Sequence, residues 1–209
     1  MSRWSVARAI CEAGRQLAER GLVAGAEGNI SARCGETVLV TPAGGAKGRL
    51  APGDLVEVEL SGRVVRGPGR PSSELGMHLA ILALRPDVGA VVHAHPPVAT
   101  GFAVAGKMLG DGSLAELATL FGTVPVVPYG TPGTPELGER VTPYARRHDA
   151  LLLANHGAVT VGPTVEAACL RMESLEQGAR ILLVARLLGG ARPLSPEELD
   201  RLVAPRRNA

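Results

Sequence analysis

The stretch AVVHAHPPVAT, residues 90–100, sets two histidines one residue apart at the end of an apolar run. Successive side chains of a β-strand point to opposite faces of a sheet, so His93 and His95 are predicted to project together while Ala94 turns away. A buried polar group needs a partner, and a buried strand has little reason to carry two imidazoles. Two imidazoles on one face are half of a metal site. The stretch therefore predicts a buried strand that ends at a metal site.

Short strands and amphipathic helices are predicted on both sides of this strand. A meander of strands is predicted from the branched-residue segments NISAR, TVLVT, LVEVEL and RVV, at residues 29–33, 37–41, 55–60 and 63–65. An edge strand is predicted at 124–129, and a hairpin-like pair at 150–157 and 158–162. Helices are predicted at 6–17, 74–84, 97–106, 114–122, 135–147 and 164–188, with a last one opened by the capping box Ser195–Glu198.

This order of elements indicates an α/β protein of the α+β type. The predicted strands cluster as neighbours while the helices are interspersed irregularly, which favours a mostly antiparallel central sheet with helices packed on both faces. A doubly wound parallel sheet is less favoured. A chain of 209 residues fits one domain, so residues 1–209 are predicted to form a single one.

The composition excludes several classes of partner. The formal net charge is +2, and one Trp, two Tyr and two Phe are too few for a base-stacking platform, so we expect no nucleic-acid partner. The longest apolar run, ILLVARLLGG, is broken by Arg186 and is shorter than the roughly 20 residues that span a bilayer. Three cysteines without C-x-x-C spacing suit a reducing compartment. We therefore expect a cytoplasmic protein with no membrane partner.

A third histidine and a carboxylate complete the candidate metal site. His156 ends a second apolar segment, LLLANH, and Gly157 behind it allows close approach of backbone or ligand. Three imidazoles with one open position are typical of a catalytic zinc site. Glu74 is the best acidic candidate, because it stands in the first turn of its predicted helix, where the helix N-terminus favours anions.

The remaining histidines and each single motif also have ordinary structural explanations. His78 lies one turn beyond Glu74 and is expected to pack or hydrogen-bond within its own helix, while His148 lies in a polar loop. An H-x-H pair occurs often enough by chance that alone it does not establish metal binding.

Three glycine- or serine-bearing stretches could hold an anion. They are GAEGNIS (25–31), TPAGGAKG (41–48) and RPSSE (70–74). Backbone N–H groups in such turns and at a helix N-terminus can form a phosphate cradle, to which Asn29, Ser72 and Ser73 would add side-chain donors. Taken singly, each stretch is also an ordinary turn or helix cap.

In this order, the motifs of the chain resemble the class II aldolase/adducin family. The family pattern G-x-x-G-N-[IV]-S, T-P-x-G, P-S-S-E, V-V-H-x-H and a late H-G is matched by residues 25–31, 41–44, 71–74, 91–95 and 156–157. The match covers nearly the whole chain, and five ordered motifs are far more specific than any one of them.

The resemblance implies a site and an assembly. His93, His95 and His156 would bind one Zn²⁺ or another divalent metal ion, with Glu74 as a fourth ligand that becomes the catalytic base when substrate displaces it. The phosphate of a sugar-phosphate substrate would be bound by Gly28, Asn29, Gly44, Ser72 and Ser73. The family forms homotetramers with active sites between neighbouring subunits.

The activity that the resemblance implies is that of a zinc-dependent lyase. Such an aldolase reversibly cleaves a ketose phosphate similar to L-fuculose 1-phosphate into dihydroxyacetone phosphate and an aldehyde, through a metal-stabilised enediolate. A divalent ion stabilises the charge that develops on the carbonyl oxygen, and a nearby carboxylate removes the proton.

Four positions depart from the aldolase pattern. Ala26 and Ala43 replace hydroxyl residues, and Glu27 adds a negative charge beside the phosphate loops. Like charges repel, so a phosphorylated substrate would bind less well unless Lys47 or Arg70 compensates. Whether the substrate is phosphorylated is therefore left open. Glu116 stands where the aldolases have a tyrosine proton donor.

Glu116 leaves three functions open. Related methylthioribulose-phosphate dehydratases have a catalytic glutamate in the equivalent region, so Glu116 is a candidate catalytic proton shuttle, or else a solvated surface charge. The alternatives to an aldolase are a zinc-dependent dehydratase or decarboxylase on the same scaffold. A non-catalytic, adducin-like assembly module is less favoured, because an inert protein has no need for a costly cluster of buried polar groups.

Overall fold

The computed structural model describes residues 2–203, and its central feature is one eight-stranded sheet. The strands are β1 (Asn29–Cys34), β2 (Thr37–Val40), β3 (Val56–Glu59), β4 (Val64–Arg66), β5 (Ala90–Ala94), β6 (Val126–Val127), β7 (Ala150–Leu153) and β8 (Gly157–Gly162). Their order is β4-β3-β2-β1-β5-β8-β7-β6, and only the edge pair β6–β7 is parallel. The predicted antiparallel sheet is confirmed.

Seven α-helices flank this sheet within residues 2–203. They are α1 (Arg3–Glu19), α2 (Leu75–Leu84), α3 (Pro97–Val104), α4 (Ala115–Phe121), α5 (Pro135–Ala145), α6 (Val165–Leu187) and α7 (Pro196–Val203). The predicted bounds of α1 to α6 agree with these within a few residues at both ends, and the start of α7 was predicted from its capping box. Short 3₁₀ turns follow β2 at Lys47–Arg49 and Pro52–Asp54.

The strand that carries the H-x-H motif lies at the centre of the sheet. β5 pairs with β1 on one side and with β8 on the other, so that His93 lies opposite both Asn29 and Val159. All five residues of β5 are buried. The sheet therefore brings three distant segments of the chain to one place.

The pleat of the sheet separates two hydrophobic cores. Ala90, Val92 and Ala94 of β5 pack on the side of α1, α3, α4 and α6, whereas Val91 packs on the side of α2 and α5. His93 follows the alternation of Val91 and therefore faces α2. This geometry directs the first histidine toward the helix that begins after Glu74.

The start of α2 differs from the prediction in one respect. The stretch RPSSE was considered as a helix cap, and Glu74 was expected in the first turn of the helix, but the residue at the N-cap is Glu74 and its side chain makes no capping hydrogen bond. Ser72 Oγ instead accepts the N–H of Glu74 at 3.3 Å. The Glu74 carboxylate is thus left available for partners outside its helix.

The long helix α6 is held by a conventional cap. Thr164 is its N-cap and accepts the N–H of Ala167 at 3.1 Å, and 23 residues follow in the helix. No helix in the described part of the chain is long and apolar enough to cross a bilayer.

Candidate metal centre

The three predicted histidines converge where β5 ends and β8 begins. Their ring centroids lie 4.7–5.2 Å apart. One ring nitrogen from each of His93, His95 and His156 lies within 4.8 Å of the others. The convergence of these residues, which was predicted from the sequence, is thus present in the structure.

Two of the three histidines do not lie on strands as predicted. His95 follows the last residue of β5, and Pro96 and Pro97, which have no backbone N–H for the ladder, come directly after it. Its own N–H donates instead to Leu22 O at 3.0 Å. His156 lies in the turn between β7 and β8 and follows Asn155, which has a φ of 56°.

Glu74 is the fourth side chain of the cluster. Its Oε2 lies 3.2 Å from His93 Nε2, and its Oε1 lies 3.3 Å from His156 Nε2. Only 8% of the residue is exposed. Glu74 therefore supplies a carboxylate to the same small space as the imidazoles.

Hydrogen bonds orient two of the imidazoles toward the centre. His93 Nδ1 donates to Ala158 O at 2.9 Å, and His95 Nδ1 faces Glu27 Oε2 at 3.2 Å. When the Nδ1 atoms donate, the Nε2 atoms carry lone pairs, and these two Nε2 atoms lie 3.2 Å apart. Glu27, which the sequence placed beside the phosphate loops, thus directs its carboxylate at a histidine.

The donor set fits a divalent cation. Four side chains direct lone pairs into one space, and Glu74 Oε1 and His156 Nδ1 are buried without a hydrogen-bond partner among residues 2–203. A single proton would satisfy one of these contacts, whereas a divalent cation can satisfy all four side chains together. The residues can therefore hold such an ion.

The protonation states also suit metal binding. Burial and the neighbouring imidazoles lower the pKa of His156 to about 4 and lower that of His95. Burial alone would raise the pKa of Glu74, but His93, Asn29 and His156 outweigh it and hold that pKa well below its usual range. At neutral pH His95 and His156 are neutral and Glu74 is ionised, which are the forms that bind metal ions.

His78 has partners that were not predicted. It was expected to pack or hydrogen-bond within its own helix, which is wrong: its ring is fully buried and contacts Ser31 Oγ at 2.7 Å and Asn29 Oδ1 at 2.5 Å, both on β1. Asn29, in turn, donates from Nδ2 to Glu74 Oε2 at 2.7 Å. The carboxamide that was assigned to a phosphate is thus engaged by the carboxylate and by His78.

The three candidate anion-binding stretches lie side by side. Ile30 O accepts the N–H of Thr41 at 3.0 Å, and Thr41 O accepts the N–H of Ser72 at 3.1 Å. Lys47 is 2% exposed and donates from Nζ to Ala26 O at 2.7 Å and to Gly45 O at 2.6 Å. Burial lowers the pKa of Lys47 to about 8. A buried ammonium group therefore joins two of the stretches.

The residues assigned to phosphate binding differ in accessibility. Gly28 and Ser72 are buried, whereas Gly44 and Ser73 are exposed. Both glycines have the positive φ that disfavours other residues, 69° at Gly28 and 71° at Gly44. Binding of phosphate at these positions stays a prediction.

Glu116 lies apart from the histidines. It is exposed on α4 and lines a cleft of about 630 Å³ together with Arg20, Glu173 and Arg180. Within residues 2–203 it makes no hydrogen bond or ion pair with the cluster. Its proton-shuttle role stays a prediction.

Replacement of Gly157 by alanine is expected to weaken metal binding at least about tenfold. A Cβ at this position would lie 2.5 Å from His95 Cδ2 and 2.7 Å from Ala94 O, so the imidazole has to move. Affinity is measured by competition with a chelating dye. Gly101→Ala is the matched control, because its Cβ meets nothing within 4 Å. Equal affinity in Gly157→Ala and the wild type would show that the close approach has no effect on the site.

The fold and the site together define a class of protein, an α/β scaffold with three histidines and a carboxylate at the end of its central strand that could hold a metal ion. Residues 8–183 match the model of the family described as Class II Aldolase and Adducin N-terminal domain. The chain belongs to this family.

The curated relatives include proteins named as aldolases and proteins named as decarboxylases. The chain is 35% identical, over 97% of its length and 91% of the relative, to a 5-methylthioribulose-1-phosphate/5-deoxyribulose-1-phosphate aldolase of Rhodospirillum rubrum. It is also 35% identical, over 82% of its length and 80% of the relative, to a 3-oxo-tetronate 4-phosphate decarboxylase of Pectobacterium atrosepticum.

Solved structures share the fold closely. An L-fuculose 1-phosphate aldolase superposes with a TM-score of 0.89 at 31% identity, covering 95% of this chain and 94% of the other. The L-fuculose-1-phosphate aldolase of Thermus thermophilus gives a TM-score of 0.80 at 34% identity, with coverages of 91% and 98%.

Proposed function

We propose that this protein is a metal-dependent aldolase that reversibly cleaves a ketose 1-phosphate into dihydroxyacetone phosphate and an aldehyde. One observation carries the proposal: the ionised Glu74 is held by Asn29 directly against His93 and His156. A base beside a metal position is the arrangement that proton abstraction next to a carbonyl requires.

The cation is proposed to be zinc, held by His93, His95, His156 and, without substrate, Glu74. The same donor set accepts manganese, iron or cobalt. Bound there, the ion would polarise the substrate carbonyl and stabilise the negative charge that develops on its oxygen.

Glu74 is proposed to move the proton. In the condensation direction its carboxylate takes a proton from the hydroxymethyl carbon of dihydroxyacetone phosphate, and that carbon forms the new bond to the aldehyde carbon while the aldehyde oxygen takes up a proton from water or from the proposed shuttle Glu116. In the cleavage direction the hydroxyl group that becomes the aldehyde oxygen gives up its proton to the same acceptor, the carbon–carbon bond breaks, and Glu74 returns its proton to the hydroxymethyl carbon.

The substrate phosphate is proposed to bind where the glycine- and serine-bearing stretches meet, near Gly28, Gly44, Ser72 and Ser73. Asn29 is proposed to keep one amide hydrogen for it. Lys47 would supply a positive charge inside this region, which offsets the hydroxyl groups that are lost at Ala26 and Ala43.

A decarboxylase is the second candidate, favoured by the decarboxylase among the relatives and by Glu116 in place of a tyrosine. A dehydratase would use the same groups. For Glu116 to act as a shuttle, a neighbouring subunit has to bring it to the histidines, which agrees with a proposed homotetramer.

Product analysis distinguishes these activities. We expect the zinc-loaded protein to release dihydroxyacetone phosphate from 5-deoxyribulose 1-phosphate or L-fuculose 1-phosphate, detected by an NADH-coupled dehydrogenase. Release of carbon dioxide from 3-oxo-tetronate 4-phosphate, with no cleavage of either ketose phosphate, would instead establish the decarboxylase. No turnover of any of the three would contradict both proposals.

A further inference from the structure

Three buried side chains behind Glu74 form a chain of hydrogen bonds. Ser31 Oγ lies 2.7 Å from His78 Nδ1, His78 Nε2 lies 2.5 Å from Asn29 Oδ1, and Asn29 Nδ2 lies 2.7 Å from Glu74 Oε2. Ser31 and His78 have no exposed surface, and Asn29 is 4% exposed. The chain of bonds therefore runs entirely inside the protein.

Chemistry fixes the direction of every bond in this chain. An ionised carboxylate only accepts, so Asn29 must donate from Nδ2 and present Oδ1 to His78. His78 must then donate from Nε2, which leaves Nδ1 to accept the hydroxyl hydrogen of Ser31. Burial lowers the pKa of His78 to about 3, so the ring is neutral, as this pattern requires. All three donors thus point toward Glu74.

Two regular elements, β1 and α2, hold this chain of hydrogen bonds in place. Asn29 and Ser31 are two residues apart on β1 and share the face that looks at α2, while His78 lies one helical turn beyond Glu74. Asn29 also lies directly opposite His93 in the β1–β5 pairing. The hydrogen bonds therefore connect the start of α2 to the strand beside the candidate metal ligands.

We propose that Asn29, His78 and Ser31 are positioning residues that fix the carboxylate of Glu74 for proton transfer. Asn29 holds Oε2, and the plane of the carboxylate then directs Oε1 at the side of His156, where it has no hydrogen-bond partner among the described residues. His78 acts through Asn29 by preventing its amide from turning. This inference rests on the proposed function, since it concerns how the proposed base is held.

A matched pair of variants at position 78 tests the inference. His78→Met and His78→Gln have similar size, but only glutamine can donate to Asn29 Oδ1. With the zinc-loaded protein and the ketose phosphate that the wild type cleaves, we expect His78→Met to lower kcat by about 10–100-fold, with KM and metal content near wild type. His78→Gln is expected to recover most of kcat. Equal kcat in the two variants would overturn the inference.

A double-mutant cycle checks that Ser31 acts through His78. Ser31→Ala is expected to lower kcat several-fold in the wild type and to have no further effect in His78→Met. An undiminished effect in His78→Met would contradict a linear chain. Should His78→Met fail to fold, Ser31→Ala decides alone, and an unchanged kcat with bound metal overturns the inference.

A spectroscopic measurement separates this inference from the proposed function. Co²⁺ replaces zinc in the wild type and in both His78 variants, and visible absorption then reports how Glu74 approaches the ion. We expect a changed spectrum in His78→Met and a wild-type spectrum in His78→Gln. If the wild type cleaves no ketose phosphate, the proposed function fails, and the spectra still decide the inference: identical spectra in all three proteins overturn it.

Discussion

His93→Ala is expected to purify without stoichiometric metal and to lose at least about a thousandfold in kcat/KM. The Nε2 atom of this fully buried residue lies 3.2 Å from both Glu74 Oε2 and His95 Nε2, so it is the most central donor of the cluster. Loss of the ion removes charge stabilisation worth several kcal/mol, and each 1.36 kcal/mol corresponds to about tenfold in rate.

The matched control for this variant is His148→Ala. His148 lies outside the cluster, where its Nδ1 contacts Thr123 O at 3.1 Å. Metal content is measured by elemental mass spectrometry, and folding is followed by thermal unfolding. His93→Ala with full metal content and wild-type turnover would contradict every metal-dependent function proposed above. Loss of metal in both variants would point to general instability.

Glu74→Gln is expected to keep the metal but to lose about 10²–10⁴-fold in kcat, the usual contribution of a positioned general base. Glutamine has the size of glutamate, and its oxygen can still accept from Asn29, but it is neutral and takes no proton from carbon. The sharpest measurement is the exchange of the carbon-bound hydrogen of dihydroxyacetone phosphate with deuterium from solvent, followed by NMR.

Glu139→Gln serves as the control for Glu74→Gln, because Glu139 is an exposed carboxylate on α5. Its exchange rate is expected to match the wild type. Should Glu74→Gln exchange hydrogen at the wild-type rate, Glu74 is not the base. If exchange is slow only because the variant has lost its metal, Glu74 acts as a metal ligand and not as the base.

Local sequence patterns predicted the elements and the main members of the site. Apolar periodicity and capping signals located the helices, and the H-x-H spacing located His93 and His95, because all of these signals depend on residues that are close along the chain. The ends of the elements were less accurate. His95 and His156 lie just outside their strands, since prolines and an Asn155 turn end the pairing.

The partners of His78 and Glu27 could not be predicted in the same way. Whether His78 packs within α2 or contacts β1 depends on which strand packs against the helix and on which of that strand's side chains point toward it. These are properties of the sheet order β1-β5-β8 and of its register, which no local pattern contains. The contact of Lys47 with Ala26 O belongs to the same class, because only the folded chain brings these two loops together, whereas its contact with Gly45 O is local.

The insertion of β8 between β5 and β7 has a consequence for biosynthesis. β5 and β7 both leave the ribosome before β8, yet each needs β8 as a neighbour. Until about residue 162 has emerged, the sheet has a gap between them and His156 has no fixed place. The candidate metal site therefore cannot form in a nascent chain before that point, and we expect any ion to be bound only after β8 has emerged and paired.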